Sequence, residues 1–180
     1  MVRRKLGPWA LVGIAVAIAA SAALYYKNSE SAASSGAGPA SLAGSLAPSF
    51  PVARFDGRPD TLEHYRGKLV VMNLWASWCP PCRAEMPDLQ RLSTRYGNKG
   101  LVVLGVDEGE SAQNAEAFAR SLGITFPILL DQDQRYGRVY SALGLPTTII
   151  VRPSGVIARG IDGPLTYHQM QEAIVPLLAR

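Results

Sequence analysis

The chain has few of the side chains from which metal sites are usually built. Its 180 residues include only two cysteines, Cys79 and Cys82, and only two histidines, His64 and His168. The cysteines are three positions apart, but no second pair of cysteines or spaced histidines completes a zinc site. Hydrophobic residues make up 48% of the chain and charged residues 18%. This composition indicates one globular domain with an appendage rather than a disordered protein.

The chain also lacks a basic surface of the kind that binds nucleic acid. Its net charge of +4 comes largely from four basic residues around an apolar N-terminal stretch, Arg3, Arg4, Lys5 and Lys27. From residue 49 onward the chain carries 14 basic and 13 acidic side chains. Nucleic-acid binding requires clustered basic side chains along the phosphates, so we expect no nucleic-acid partner.

The apolar N-terminal stretch, residues 6–26, contains no charged residue. A helix of this length spans a bilayer core of about 30 Å. More positive charge precedes it than follows it, which predicts a cytoplasmic N-terminus. We therefore expect residues 1–27 to be a single-pass anchor in the inner membrane, with the rest of the chain in the periplasm. A cleaved signal peptide, cut near residues 20–22, is the alternative.

Residues 28–47 contain fifteen Ala, Ser or Gly in twenty positions and no aromatic residue. Such a composition buries too little apolar surface to offset the entropy of ordering the chain. The sequence therefore predicts a flexible linker over 28–47 and a folded domain over 48–180.

Short β-branched runs alternate with helical patterns through the domain. Predicted strands cover 68–75, 101–107 and 126–131, and predicted helices follow each of them, the second over 111–122 and the third over 134–143 with Gly144 as its C-terminal cap. Residues 147–160 read as a hairpin, and Thr166 with Gln169 forms a capping box that opens a final helix. This order predicts an α/β fold with a mixed sheet.

The cysteine pair follows the first predicted strand and opens the first helix. A purely structural disulfide at this spacing closes nearly the shortest loop available and stabilises little. At the N-terminus of a helix, however, the backbone amides and the helix dipole lower the pKa of a thiol. We therefore predict that Cys79 is the redox nucleophile. Cys82 lies one turn further on, on the inward face, and is predicted to attack Cys79 only after a mixed disulfide has formed.

Two prolines separate the cysteines. Pro80 suits the first helical position, where its missing N–H would in any case lack a helical partner. Pro81 removes a second amide, which leaves the Cys82 amide as the near donor to a Cys79 thiolate. A less stabilised thiolate predicts a more reducing pair.

Two sequence blocks, GKLVVMNLWASWCPPCRAEMP and GLPTTIIVRPSGVIARGIDG, resemble the TlpA/ResA/CcmG-like branch of the thioredoxin superfamily. The resemblance covers residue 48 to about residue 175. It implies a thioredoxin-like fold, with a central mixed sheet flanked by helices and an extra helix and strand before Pro146. It also implies a cis peptide bond before Pro146, which would face the cysteines as part of the catalytic site and offer backbone for a substrate chain to pair with. Trp78 would give a flat apolar rim for docking a polypeptide, and we expect it to bind substrate together with Pro80, Pro81 and Leu145.

Glu85 is the matching candidate for proton transfer in this branch. Cytosolic thioredoxins typically carry a buried acid where this chain has Asn73, which does not titrate. A partly buried Glu85, three residues after Cys82, is predicted to have a raised pKa and to act as the base for the Cys82 thiol. A solvated carboxylate at this position is the alternative.

The resemblance implies an extracytoplasmic thiol-disulfide oxidoreductase that reduces protein disulfides, in the manner of cytochrome c maturation. It would be re-reduced by a membrane electron-donor protein and would need no cofactor beyond the Cys79–Cys82 pair. A thiol peroxidase would need Thr or Ser in place of Ala76, and a copper chaperone would use a wider cysteine spacing and a histidine. The acidic cluster of Asp107, Glu108 and Glu110 is expected to be a solvated turn.

Overall fold

The computed structural model describes residues 38–178. The predicted anchor over 1–27 lies outside these residues, as do the first ten positions of the predicted linker, 28–37. None of the helices within 38–178 is long and apolar enough to cross a membrane.

Seven strands form one mixed sheet in the order β2-β1-β5-β4-β3-β6-β7. Their bounds are β1 Val52–Arg54, β2 Pro59–Asp60, β3 Leu69–Trp75, β4 Leu101–Glu108, β5 Ile128–Asp131, β6 Thr147–Val151 and β7 Ile157–Asp162. The three central strands β5, β4 and β3 are parallel. Strands β6 and β7 extend the sheet beyond β3 in antiparallel pairing, and β1 and β2 extend it beyond β5 in the same way. The predicted α/β fold with a mixed sheet is confirmed, although β1 and β2 had no clear signal in the sequence.

In the described range, 38–178, four α-helices accompany the sheet: α1 Pro80–Tyr96, α2 Ala112–Ser121, α3 Arg135–Val139 and α4 Tyr167–Leu178. Helix α1 continues through Pro87. The capping box predicted at Thr166 is confirmed, since Gln169 Oε1 accepts from the amide of Thr166 at 2.9 Å. Ser111 caps α2, because its Oγ accepts from the amide of Asn114 at 3.3 Å. The region where an extra helix and strand were expected, between β4 and Pro146, holds two helices and one strand, α2, β5 and α3.

Helix α3 is shorter than predicted. The expected helix over 134–143 is helical only over Arg135–Val139, and Gly144 does not cap it. Gln134 and Ser141 on either side have a φ of 53°, in the left-handed region, so the chain cannot continue as an α-helix through them. This short helix lies next to the site described below.

Strand β3 is buried along its whole length and separates two apolar clusters. Leu69, Val71 and Trp75 pack on the side that includes helices α1, α2 and α4. The alternate residues of the strand face the other cluster, which includes Tyr136 and Tyr140 near α3. The strand's two-residue period therefore supplies side chains to both halves of the core.

Residues 38–47, here called the N-terminal segment, are part of the domain. They form a 3-10 helix over Pro39–Leu42 and then pair with the start of β7, where the Gly44 amide donates to the Ile157 carbonyl at 2.9 Å. The prediction of a flexible linker is therefore wrong for residues 38–47. Small residues permit this close packing, because a Cβ at Gly160 would collide with the Pro39 carbonyl.

Replacing Gly160 with alanine should destabilise the domain by about 1 to 3 kcal/mol, because the added methyl meets backbone rather than a movable side chain. Denaturant unfolding of the full chain measures this difference. The matched control is Gly97→Ala, since a Cβ at Gly97 meets nothing within 4 Å. Equal stabilities for the two variants would contradict the packing described for the N-terminal segment.

Candidate active site

One edge of the sheet brings together the ends of three strands. Trp75 at the end of β3 pairs with Asp107 on β4, and Leu74 pairs with Thr147 at the start of β6. The loop to Cys79 leaves β3 at this edge, and Pro146 enters β6 at the same edge. The Leu145–Pro146 peptide bond is cis, as the family resemblance predicts.

Cys79 and Cys82 form a disulfide at the start of α1. Cys79 is the N-cap residue, and its sulfur accepts a hydrogen bond from the Cys82 amide at 3.3 Å. Pro80 and Pro81 occupy the first two helical positions and have no N–H to donate. The predicted cap geometry is therefore confirmed. Both cysteines are buried in the disulfide form, at 3% and 1% exposure.

A groove of about 370 Å³ reaches the residues that directly precede Cys79 and Pro146 in the chain. Trp78 and Leu145 both line it, and Trp78 is 65% exposed. Pro80 and Pro81 are exposed on the first turn of α1. The structure thus places Trp78 and Leu145 on one surface, while the binding of substrate by these four residues stays a prediction.

Glu85 is buried, with 3% exposure, and neither of its carboxylate oxygens has a hydrogen-bond partner in the part of the chain that the structure describes. Burial raises the pKa of Glu85 to about 8; the charge of Asp88 adds to the rise and the backbone of Leu165 opposes it. The solvated alternative is therefore wrong. Asn73 is also buried, and its side-chain amide donates a hydrogen bond to Thr148 Oγ1 at 3.1 Å. Because an amide does not titrate, Asn73 has no proton to transfer.

The acidic cluster is not a solvated turn, because Asp107 and Glu108 are 0% and 5% exposed. Burial is the main cause that raises the pKa of each to about 8, with Glu110 adding to the rise at Asp107 and Asp131 at Glu108. The last residues of β4 are covered because β5 pairs beside them and α3 follows. Glu108 contacts α3 directly, accepting from the Gly137 amide at 3.1 Å.

The sequence analysis does not predict the contact between Ser77 and Glu110. The Ser77 hydroxyl donates to Glu110 Oε1 at 2.6 Å, and the Ser77 amide donates to the other oxygen of the same carboxylate. The two residues are 33 positions apart. Sequence spacing within one element reveals no such contact, because it forms only when β3 and β4 pair.

The two histidines do not line the groove. His64 Nδ1 lies 2.7 Å from Asp60 Oδ1, and His168 Nδ1 lies 3.6 Å from Glu172 Oε2. Both contacts are i,i+4 pairs, and the two histidine side chains are exposed, at 64% for His64 and 78% for His168.

The buried acids predict that the folded protein loses stability as the pH rises. Glu85 has a pKa of about 8 in the folded state against 4.5 ordinarily, so between these values the folded chain binds more protons than the unfolded chain. The free energy of unfolding should therefore fall as the pH rises through this window and level off above about pH 8. Asp107 and Glu108 act in the same direction.

Glu85→Gln keeps the side-chain shape and removes one titrating group, so its free energy of unfolding should depend less steeply on pH. Urea unfolding at several pH values measures the slope. Glu172→Gln is the matched control, because that side chain is 66% exposed. A slope unchanged by Glu85→Gln would contradict the raised pKa.

Comparisons with known proteins agree with this geometry. The AhpC/TSA family matches residues 43–159. The thiol-disulfide oxidoreductase ResA of Geobacillus thermodenitrificans is 37% identical over 129 residues, which cover 72% of this chain and 74% of that protein. The ResA of Bacillus subtilis is 33% identical over 129 residues, 72% of each chain.

Solved structures show the same fold. A thiol:disulfide interchange protein, DsbE, from Chlorobium tepidum superposes with a TM-score of 0.71 at 25% identity, covering 76% of this chain and 97% of that one. A protein disulfide isomerase structure from Bacteroides thetaiotaomicron gives 0.70 at 27% identity, covering 77% and 91%. The chain therefore belongs to the AhpC/TSA family of thioredoxin-like proteins and, through its Cys79–Cys82 pair, to the ResA-like thiol-disulfide oxidoreductases.

Proposed function

We propose that this thiol-disulfide oxidoreductase is an extracytoplasmic reductant of protein disulfides. The observation that carries the proposal is the cap of α1, where the Cys79 sulfur has one close first-turn amide donor, that of Cys82. The N-cap position normally offers a side chain the amides of the second and third helical residues. Pro81 at the second position has none, so the Cys79 thiolate is stabilised less than an uninterrupted helix start would allow.

In the first step the Cys79 thiolate attacks one sulfur of a substrate disulfide. A bond forms between Cys79 Sγ and that sulfur, and the other substrate sulfur leaves as a thiolate. Trp78, which is exposed beside Cys79, provides an apolar surface for the approaching polypeptide. The product is a mixed disulfide between the enzyme and its substrate.

In the second step Cys82 loses its proton and attacks Cys79 Sγ. The mixed disulfide breaks, the second substrate sulfur leaves and takes up a proton, and the intramolecular disulfide remains. Glu85 is the base in this proposal, since its pKa of about 8 lies close to that of an ordinary thiol and favours proton transfer in either direction. Two electrons pass from the two enzyme thiols to the substrate disulfide.

The cycle requires a reductant for the Cys79–Cys82 disulfide. We propose a membrane electron-donor protein with its own dithiol, and an inner-membrane anchor formed by residues 6–26 that keeps the domain in the periplasm near it. Cytochrome c maturation is the proposed role. The resemblance of the two sequence blocks to the TlpA/ResA/CcmG-like branch supports these assignments, as does the similarity to proteins named ResA and DsbE.

The reduction potential of the full chain tests the direction of electron flow. A value near that of thioredoxin, about −270 mV, is expected for a reductant. Pro81→His restores an amide at the second helical position and should move the potential toward less negative values, because the thiolate gains a donor. Tryptophan fluorescence in thiol-disulfide buffers reports the redox state. A wild-type value near about −120 mV would instead identify an oxidant.

The substrate class is tested by trapping. Cys82→Ser should accumulate a mixed disulfide through Cys79 in cells, visible as a band that dithiothreitol removes. Cys79→Ser is the matched control and should trap nothing. If Cys82→Ser also captures no protein, a protein substrate is contradicted.

The two alternatives predict different activities. A thiol peroxidase would consume hydrogen peroxide, although Ala76 stands where that chemistry needs a hydroxyl side chain. A copper chaperone would bind copper stoichiometrically. Measuring both properties on the reduced chain separates these functions from disulfide reduction.

A further inference from the structure

The loop between β3 and Cys79 is held at Ser77 from two sides. The Ser77 amide and hydroxyl both donate to the carboxylate of Glu110, the hydroxyl at 2.6 Å. The Ser77 carbonyl accepts from Arg83 Nη1 at 3.1 Å. Ser77 lies two residues before Cys79, so its position bears directly on where Trp78 and the Cys79 sulfur lie.

Glu110 is mounted on a turn that is itself fixed. Gly109 has a φ of 82°, in the left-handed region that glycine adopts readily, and its amide donates to the Asp131 carbonyl at 3.1 Å. Ser111 follows Glu110 and caps α2 through the Asn114 amide. The Glu110 carboxylate is therefore tied through backbone to both β5 and α2.

Arg83 makes the second link to a different part of the domain. Its guanidinium lies 4.8 Å from the centre of the Phe118 ring on α2, and it belongs to the helix that Cys79 opens. The position of Arg83 is therefore set by α1, whereas the position of Glu110 is set by the sheet. Within residues 38–178, the Glu110 contact alone fixes the loop to an element outside α1 through two hydrogen bonds to one carboxylate.

Asp107 is a buried carboxyl group close to Glu110. Asp107 is fully buried and its pKa is raised to about 8 by burial and by the nearby Glu110. At neutral pH Asp107 is therefore largely protonated and uncharged. A neutral Asp107 avoids placing two like charges side by side, and the Glu110 carboxylate accepts both Ser77 hydrogens.

We propose that Glu110 is a positioning residue for the Cys79 nucleophile, acting through its two hydrogen bonds to Ser77. Glu110 does not touch the sulfurs in this proposal. It holds the Ser77–Cys79 loop so that the Cys79 thiolate meets a substrate sulfur in line. The inference rests on the proposed disulfide exchange and adds a residue that supports it.

Three variants of the full chain distinguish a positioning role of Glu110 from a purely stabilising one. Glu110→Ala removes both acceptors and should slow reaction of the reduced chain with insulin disulfides and with 5,5′-dithiobis(2-nitrobenzoate) about tenfold, as small misplacements of a nucleophile do. Glu110→Gln can accept from the Ser77 amide and donate to the Ser77 hydroxyl, so it should restore most of the rate. Ser77→Ala keeps the backbone contact and should give an intermediate rate.

Glu116→Ala is the control, since it removes an exposed ion pair with Arg120 on α2 and leaves the loop untouched. Melting temperatures are measured for all variants, and rates are compared well below them. Equal rates for Glu110→Ala and wild type, with a lowered melting temperature only, would show a purely structural role and overturn the proposal. So would a Glu110→Gln rate as low as that of Glu110→Ala. A wild-type reduced chain that reacts with neither insulin disulfides nor 5,5′-dithiobis(2-nitrobenzoate) would instead refute the proposed disulfide exchange.

Discussion

The parallel pairing of β3 with β4 is the constraint on which the site depends. Seven consecutive residue pairs, from Leu69 with Leu101 to Trp75 with Asp107, define the register. Because side chains alternate between faces, a slip of one residue would exchange the two apolar clusters that β3 separates. It would also part Ser77 from Glu110, since each follows the end of one of these strands. The chemistry at Cys79 therefore depends on a register set by apolar residues that take no part in it.

The site combines a weakly capped sulfur with acids that are kept from water. Charged carboxylates are costly to bury, and burial raises the pKa of Glu85, Asp107 and Glu108 to about 8 each. Thiol-disulfide exchange moves protons as well as electrons. Under the proposed function, a neighbourhood of groups that gain and lose protons near neutral pH suits a pair that cycles between dithiol and disulfide.

The sequence was informative where local pattern decides structure. The buried run at β3, the cap at Cys79 and the capping box at Thr166 each depend on residues within one element, and all were predicted. The burial of Asp107 and Glu108 was not, because it depends on β5 and α3 covering the end of β4. Likewise the contact of Ser77 with Glu110 requires two strands to pair first. The linker prediction for residues 38–47 is wrong for another reason. Small side chains are typical of linkers, but they also permit close backbone packing.

The N-terminal segment has a consequence for the sheet as a whole. Strand β7 is the last in the sheet order, so its outer side would present unpaired backbone groups to other chains. Residues 44–47 bond to this side at its beginning, through Gly155 and Ile157. The segment thus shields part of an exposed edge against pairing between molecules. A chain begun after Ala47 would keep every residue of the active site and yet lose this protection against self-association.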